Sequence, residues 1–121
     1  MKESIGAKIL IVEDEASQRM ALVDKFTREG FSVVEAKDGK DGLTIALQEH
    51  PDLILLDIVM PVMDGMTMLQ KIREDAWGKD VKVIVLTNLS DALAHGSYDY
   101  LVKSDWKIND VVARVRARLD E

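Results

Sequence analysis

Two kinds of hydrophobic periodicity alternate along the chain. Short apolar runs are separated by longer segments in which apolar residues recur every three or four positions. Runs that are apolar on both faces are typical of parallel strands covered by helices, rather than of half-exposed antiparallel strands. The runs predict five strands: Lys8–Val12, Phe31–Val34, Leu53–Leu56, Val81–Leu86 and the shorter Tyr100–Val102.

The segments after the first two strands have helical spacing. Gly30 stands where the left-handed cap of a first helix would fall. A second helix is predicted to begin at Asp38 and to end before Pro51, because the residue that precedes a proline disfavours helix. The predicted apolar face of the first helix consists of Ala16, Met20, Val23 and Phe26.

Two further helices follow the third and fifth strands. Asp64 is the predicted N-cap of the first of them, and Ser104 or Asp105 is the predicted cap of the second. The last helix has the clearest apolar stripe, formed by Ile108, Val111, Val112, Val115 and Leu119. Its other side is predicted to be a solvated face that carries Arg114, Arg116 and Arg118.

This order of elements predicts an α/β fold. Repeated strand–helix units with right-handed crossovers form a doubly wound open parallel sheet. Within 121 residues we expect a single domain, 1–121, with one main core. Functional groups in such sheets gather at the carboxyl ends of the strands.

Composition narrows the function classes. A net charge of −6 argues against a protein that coats nucleic acid or binds an anionic membrane, because either role needs a positive face. The absence of cysteine excludes disulfides and thiolate metal sites. We find neither a hydrophobic leader at the start nor an apolar run long enough to span a membrane, so a cytoplasmic location is expected.

Polar residues follow four of the five predicted strands. Glu13 and Asp14 come after the first, Asp57 after the third, Thr87 after the fourth and Lys103 after the fifth. Each alone has an ordinary explanation as a helix cap, a turn residue or a surface charge. The topology, however, would bring them together at one crevice.

Carboxylates at one sheet edge repel each other. Two unit charges about 4 Å apart cost roughly 4 kcal/mol at an effective dielectric constant near 20. The group should therefore hold a proton or recruit a cation, and oxygen ligands without histidine or cysteine favour Mg²⁺. Carboxylates, a hard ion, a lysine and a hydroxyl are together the parts of a phosphoryl-transfer site.

Four stretches of the sequence resemble the receiver domain of two-component response regulators. They are Ile9–Glu15, Leu55–Gly65, Val85–Thr87 and Tyr100–Lys103. The resemblance implies a flavodoxin-like (βα)5 fold whose five-stranded parallel sheet has the order 2-1-3-4-5. It also implies that Asp57 accepts a phosphoryl group from a phosphohistidine, with Mg²⁺ bound by Glu13, Asp14, Asp57 and the carbonyl of Val59.

The resemblance assigns the remaining strand-end residues to a switch. Lys103 would pair with the phosphoryl oxygens, Thr87 would move to hydrogen-bond them and Tyr100 would swing inward. The resemblance therefore implies a phosphorylation-operated switch rather than a metabolic enzyme. Its partners would be a sensor histidine kinase or phosphotransfer protein and an unknown downstream protein.

The sequence departs from the receiver pattern between the fourth and fifth strands. Thr87 and Lys103 are 16 positions apart, about six fewer than in most receivers, which is more than one helical turn. The fourth of the five helices should therefore be shortened. Ser104 stands where a proline often follows the lysine, so we do not assume a cis peptide bond there.

Three alternatives remain open. The first is a receiver-like scaffold whose phosphorylation is decoupled from output by the shortened helix. The second is a Mg²⁺-dependent phosphatase with an aspartyl nucleophile, which would need an acid where the chain has Val59. The third is a flavodoxin-like nucleotide binder, which the acidic run Glu13–Glu15 disfavours because it would repel phosphate.

Overall fold

A central parallel sheet organises the molecule, as seen in a computed structural model that describes residues 6–57, 62–87, 99–102 and 107–121. Its strands lie in the order β2-β1-β3-β4-β5, and every neighbouring pair is parallel. The strands are β1 (Lys8–Val12), β2 (Ser32–Ala36), β3 (Leu53–Asp57), β4 (Lys82–Thr87) and β5 (Asp99–Val102). The doubly wound parallel α/β class is therefore confirmed.

Four helices cover the sheet in the described part of the chain. They are α1 (Ala16–Arg28), α2 (Gly39–Glu49), α3 (Val62–Glu74) and α4 (Ile108–Leu119). None of these helices is long and apolar enough to cross a bilayer. The shortened helix that the sequence predicts between β4 and β5 falls within residues 88–98, outside the described residues.

The sheet separates two apolar cores because successive strand residues point to opposite faces. On one face, Leu10 and Val12 of β1 pack with residues of α2 and α3. On the other face, Ile9 and Ile11 pack with residues of α1 and α4. This double coverage explains why the strands read as continuous apolar runs in the sequence.

The predicted stripe of α4 is confirmed, and the predicted stripe of α1 is confirmed for Phe26 and the partly buried Val23 but wrong for Ala16 and Met20. Val111, Val112, Val115 and Leu119 are buried in α4. In α1 the buried residues are Leu22 and Phe26, whereas Met20 is 66% exposed and Ala16 is also exposed. Arg19, three positions before Leu22 and on the same side of the helix, forms hydrogen bonds to Glu35 and to the Glu13 carbonyl.

The predicted end of α1 and both predicted ends of α2 agree with the structure, and each is marked by a residue with a specific backbone or capping role. Gly30 has a positive φ of 98°, which a glycine adopts without strain. The side chain of Asp38 caps α2, since its Oδ1 accepts a hydrogen bond from Asp41 N at 2.7 Å. The helix ends at Glu49, and its C-cap His50 takes a left-handed conformation before Pro51.

Two predicted caps are wrong. The third helix begins at Val62, so Asp64 lies inside it rather than at its cap. The N-cap of α4 is Lys107 instead of Ser104 or Asp105. Asp110 selects this start because its Oδ2 accepts a hydrogen bond from Lys107 N at 2.9 Å, which satisfies a backbone donor ahead of the first turn.

Arg116 does not belong to a simple solvated face. Its Nη2 donates to Glu29 Oε1 at 2.8 Å and to the Glu29 carbonyl at 3.1 Å. Its guanidinium also lies 5.0 Å from the centre of the Phe31 ring. Arg116 therefore ties α4 to the end of α1, and all three arginines of this face are only half exposed.

We expect the contribution of Arg116 to stability to depend on pH. Its hydrogen bond, followed by that of Lys25, lowers the pKa of Glu29 below the ordinary value of 4.5. A carboxylate whose pKa is depressed by folding stabilises the protein above its unfolded pKa, and this stabilisation is lost as pH falls through the folded pKa. Relative to wild type, the Arg116→Gln substitution should therefore lower the urea midpoint of unfolding more at neutral pH than at acidic pH.

The matched control is the same substitution in a Glu29→Gln background. There the effect of Arg116→Gln should be the same at both pH values, because the remaining contacts with Phe31 and the Glu29 carbonyl do not titrate. An equal pH dependence in both backgrounds would contradict the assignment to this pair.

Candidate functional site

The carboxyl end of β1 presents a buried carboxylate next to an exposed one. Glu13 N donates to the Ala36 carbonyl of β2 at 3.0 Å, which extends the sheet by one residue. The Glu13 side chain is only 1% exposed, and its Oε2 accepts a hydrogen bond from Glu15 N at 3.0 Å. Asp14, the next residue, is exposed. A carboxylate this deeply buried needs compensating partners or cations nearby.

The third acid of the run, Glu15, serves the helix instead. Its Oε1 accepts hydrogen bonds from Ser17 Oγ at 2.6 Å and from Gln18 N at 2.9 Å, so it is the N-cap of α1. The Ser17 hydrogen bond, and then that of Gln18, lowers the pKa of Glu15, which stays ionised as a cap should. Glu13 and Asp14 are thus the two acids of this loop that a cation could use.

The register of the sheet brings the predicted strand-end residues to one edge. Val12 pairs with Leu56, so Glu13 follows β1 at the level of Asp57 on β3. Asp57 in turn pairs with Leu86, one residue before Thr87 on β4. On this backbone, Asp57 and Thr87 are the last residues of β3 and β4, and Glu13 directly follows the neighbouring strand β1.

The edge continues to the last strand. Thr87 pairs with Val102, which directly precedes Lys103 in the sequence, and Tyr100 lies within β5 opposite Val85. Val59 and Lys103 fall outside the described residues, and the described part of Asp57, Thr87 and Tyr100 is the backbone. Their roles as nucleophile, metal ligand, phosphate partner and switch stay predictions.

The donor set at this edge fits a hard cation. Among the side chains that the structure describes, no three of His, Cys, Asp and Glu lie together as a metal site. Glu13 and Asp14 alone supply only two carboxylates. The strand register puts a third acidic residue, Asp57, at the position next to Glu13. Carboxylate oxygens without nitrogen or sulfur ligands are the chemistry that Mg²⁺ uses with few protein ligands.

Sequence reasoning missed one residue of this region. Arg19, on the second turn of α1, donates from Nη1 to the Glu13 carbonyl at 2.9 Å and from Nε to Glu35 Oε1 at 3.0 Å. The sequence signal that could have identified Arg19 is its helical spacing from Leu22 and Phe26, which are both buried. That spacing places Arg19 on the inward side of α1. The assignment of Ala16 and Met20 to the inward face of α1 concealed it.

Comparisons with known sequences agree with the motifs at the strand ends. The sequence model of the response regulator receiver domain family matches residues 9–116. The probable transcriptional regulator ycf27 of Guillardia theta is 42% identical over 118 aligned residues, which cover 93% of this chain and 45% of that protein. The chain spans about half the length of the curated relatives that it matches first.

Comparisons with solved structures give the same result. The magnesium-bound receiver domain of sensor histidine kinase PA1611 from Pseudomonas aeruginosa PAO1 has a TM-score of 0.84 and 29% identity, covering 96% of this chain and 99% of that one. The response regulator TrrA of Thermotoga maritima, in complex with Mg²⁺-BeF, has a TM-score of 0.79 and 29% identity, covering 93% and 98%. This chain therefore belongs to the response regulator receiver domain family, with its flavodoxin-like fold.

Proposed function

We propose that this receiver domain is a phosphorylation-operated switch in which Asp57 accepts a phosphoryl group from a phosphohistidine. The donor is a sensor histidine kinase or a phosphotransfer protein in the cytoplasm. The observation that carries the proposal is the register that sets Glu13, and with it Asp14, at the level of Asp57 at the carboxyl edge of the sheet. This juxtaposition supports an acidic cation site beside a carboxylate nucleophile.

In the proposed reaction, a carboxylate oxygen of Asp57 attacks phosphorus in line, and the bond to the histidine nitrogen breaks. Glu13, Asp14, Asp57 and the Val59 carbonyl would hold Mg²⁺. When bound, Mg²⁺ neutralises charge on the phosphoryl oxygens. Support comes from the PA1611 receiver domain, which holds magnesium in its active site cleft, and from TrrA, whose complex contains Mg²⁺-BeF.

The product replaces the single negative charge of the Asp57 carboxylate with a phosphoryl group that carries about −1.5 to −2 charges and brings new acceptor oxygens to the sheet edge. Lys103 would pair with these oxygens, Thr87 would donate a hydroxyl hydrogen bond, and Tyr100 would follow inward. This closure biases the molecule between two states, which a downstream protein then distinguishes. The domain signals by protein contact rather than by turning over a metabolite or binding nucleic acid.

One sequence feature favours a second candidate, a receiver-like scaffold with phosphorylation decoupled from output. Only 16 positions separate Thr87 from Lys103, so the segment that links the phosphorylated edge to β5 is short for its family. Under this reading Asp57 is still phosphorylated, but no change in shape or association follows.

The test is to incubate the protein with Mg²⁺ and acetyl phosphate, measure intact mass, and then follow tryptophan fluorescence and oligomeric state with beryllofluoride. The switch predicts one added phosphoryl group and a change in at least one of the other two signals, all abolished by EDTA. Phosphorylation with no accompanying change supports the scaffold. Failure to gain a phosphoryl group, or a gain that survives removal of Mg²⁺, contradicts the proposed function.

A further inference from the structure

We propose that Arg19 is a positioning residue for the Mg²⁺ site, a role that rests on the proposed function. It holds the backbone that carries both acids of the β1 edge. Its hydrogen bonds to the Glu13 carbonyl at 2.9 Å and to Glu35 at 3.0 Å use opposite parts of one planar guanidinium. Arg19 therefore joins α1, the end of β1 and the outer strand β2.

The contact with the Glu13 carbonyl acts directly on Asp14. Glu13 N is already fixed by its hydrogen bond to the Ala36 carbonyl at 3.0 Å. Because a peptide group is planar, fixing the Glu13 carbonyl also fixes the N–H and Cα of Asp14. Arg19 thus sets the direction in which the chain leaves the sheet and the place from which the exposed Asp14 reaches a cation.

The surroundings favour a positioning role over a purely stabilising one. The side chain of Arg19 is 19% exposed, so its bond to the carbonyl is largely shielded from water. Glu35 is 50% exposed and accepts from the Nε side, where it orients the guanidinium plane. Glu13 itself is held through Oε2 by Glu15 N. The carbonyl contact is accordingly the part of this arrangement that bears on Asp14.

Outer-shell partners of metal ligands typically change metal affinity 10- to 100-fold when removed. Arg19→Met keeps the apolar stem and removes both hydrogen bonds, so we expect the Mg²⁺ dissociation constant to rise about tenfold. Arg19→Lys keeps the charge and the fold but offers no planar fork, and its dissociation constant should lie between those of wild type and Arg19→Met.

The matched control is Arg28→Met on the same helix. Arg28 forms an ion pair with Asp24 at 3.1 Å, with side chains 76% and 61% exposed, remote in sequence from the acidic loop. Its Mg²⁺ affinity should equal that of wild type. Binding is measured by calorimetry with MgCl₂ alone, and urea unfolding in EDTA reports any general loss of stability.

A second readout separates positioning from nucleophile chemistry. The Mg²⁺ concentration for half-maximal phosphorylation by acetyl phosphate should rise in both Arg19 variants, while the rate at saturating Mg²⁺ stays near wild type. Mg²⁺ affinity unchanged in Arg19→Lys and Arg19→Met, or lowered equally in Arg28→Met, would overturn the role of Arg19 and leave the phosphorylation switch intact. A wild-type protein that binds no Mg²⁺ would overturn both.

Discussion

An Asp57→Asn variant is expected to gain no phosphoryl group from acetyl phosphate and Mg²⁺ under conditions that phosphorylate the wild type fully. The amide has nearly the shape of the carboxylate but lacks the anionic oxygen that attacks phosphorus. The substitution also removes one negative charge from the strand position next to Glu13. The rate should fall to the background of the intact-mass assay.

Stability distinguishes loss of the nucleophile from loss of the fold. Because the substitution relieves repulsion among carboxylates, the urea midpoint of Asp57→Asn without Mg²⁺ should equal or exceed that of wild type. Asp24→Asn, which alters an exposed ion pair on α1, is the matched control and should be phosphorylated normally. Continued labelling of Asp57→Asn would place the phosphoryl group on a different residue.

The strands were predictable because both faces of each are covered. Ile9 and Leu10 are adjacent in sequence, and both are fully buried, on opposite sides of the sheet. The stripe of α4 was predictable for a similar reason, since its inward positions are all apolar. In α1 the prediction holds for Val23 and Phe26 but fails in the first turns, where Arg19 and Leu22 face inward in place of Ala16 and Met20. The partial burial of Arg19 depends on acceptors that lie elsewhere in the fold.

For the candidate site, the residue pattern predicted which polar residues lie at the carboxyl edge of the sheet, but not how the strands are ordered or what each side chain does. Glu13 directly follows β1, and Asp57 and Thr87 are the last residues of β3 and β4, one residue earlier in the element order than the prediction, which placed both just after their strands. Local sequence carries no information on which strands are neighbours, however, and the strand order came from the family resemblance. The functions of the side chains of Asp57, Thr87 and Lys103 likewise come from the family motifs in which these residues stand, and they are predictions.

Replacing Gly78 with alanine is expected to destabilise the protein strongly. Gly78 is buried in the turn after α3, and a Cβ atom there would overlap the carbonyl oxygen of Ile72, with Ile72 Cγ2 only 2.6 Å away and the carbonyl carbon 2.9 Å away. The turn cannot easily move aside because Arg73 Nη1 donates to the carbonyls of Gly78 and Val81, each at 2.8 Å. We expect Gly78→Ala to lower the free energy of unfolding by about 3 kcal/mol.

Gly42→Ala is the matched control for this prediction. A Cβ at Gly42 would lie 2.6 Å from Met68 Sδ and 3.1 Å from Val12 Cγ2, so it also meets a packed neighbour. The neighbour here is a flexible thioether rather than backbone, and alanine is favoured over glycine inside a helix by about 1 kcal/mol. The net loss should therefore be about 1 kcal/mol or less by urea unfolding.

The contrast between the two glycine variants also separates stability from chemistry. The turn containing Gly78 leads into β4 at its amino end, whereas Asp57 and Thr87 lie at the carboxyl ends of their strands. Gly78→Ala that remains folded, at low temperature and without urea, should accept a phosphoryl group at the wild-type rate. If both alanine variants lose the same free energy of unfolding, the backbone overlap at Ile72 is not the limiting contact. If folded Gly78→Ala is phosphorylated slowly, the two edges of the sheet are coupled.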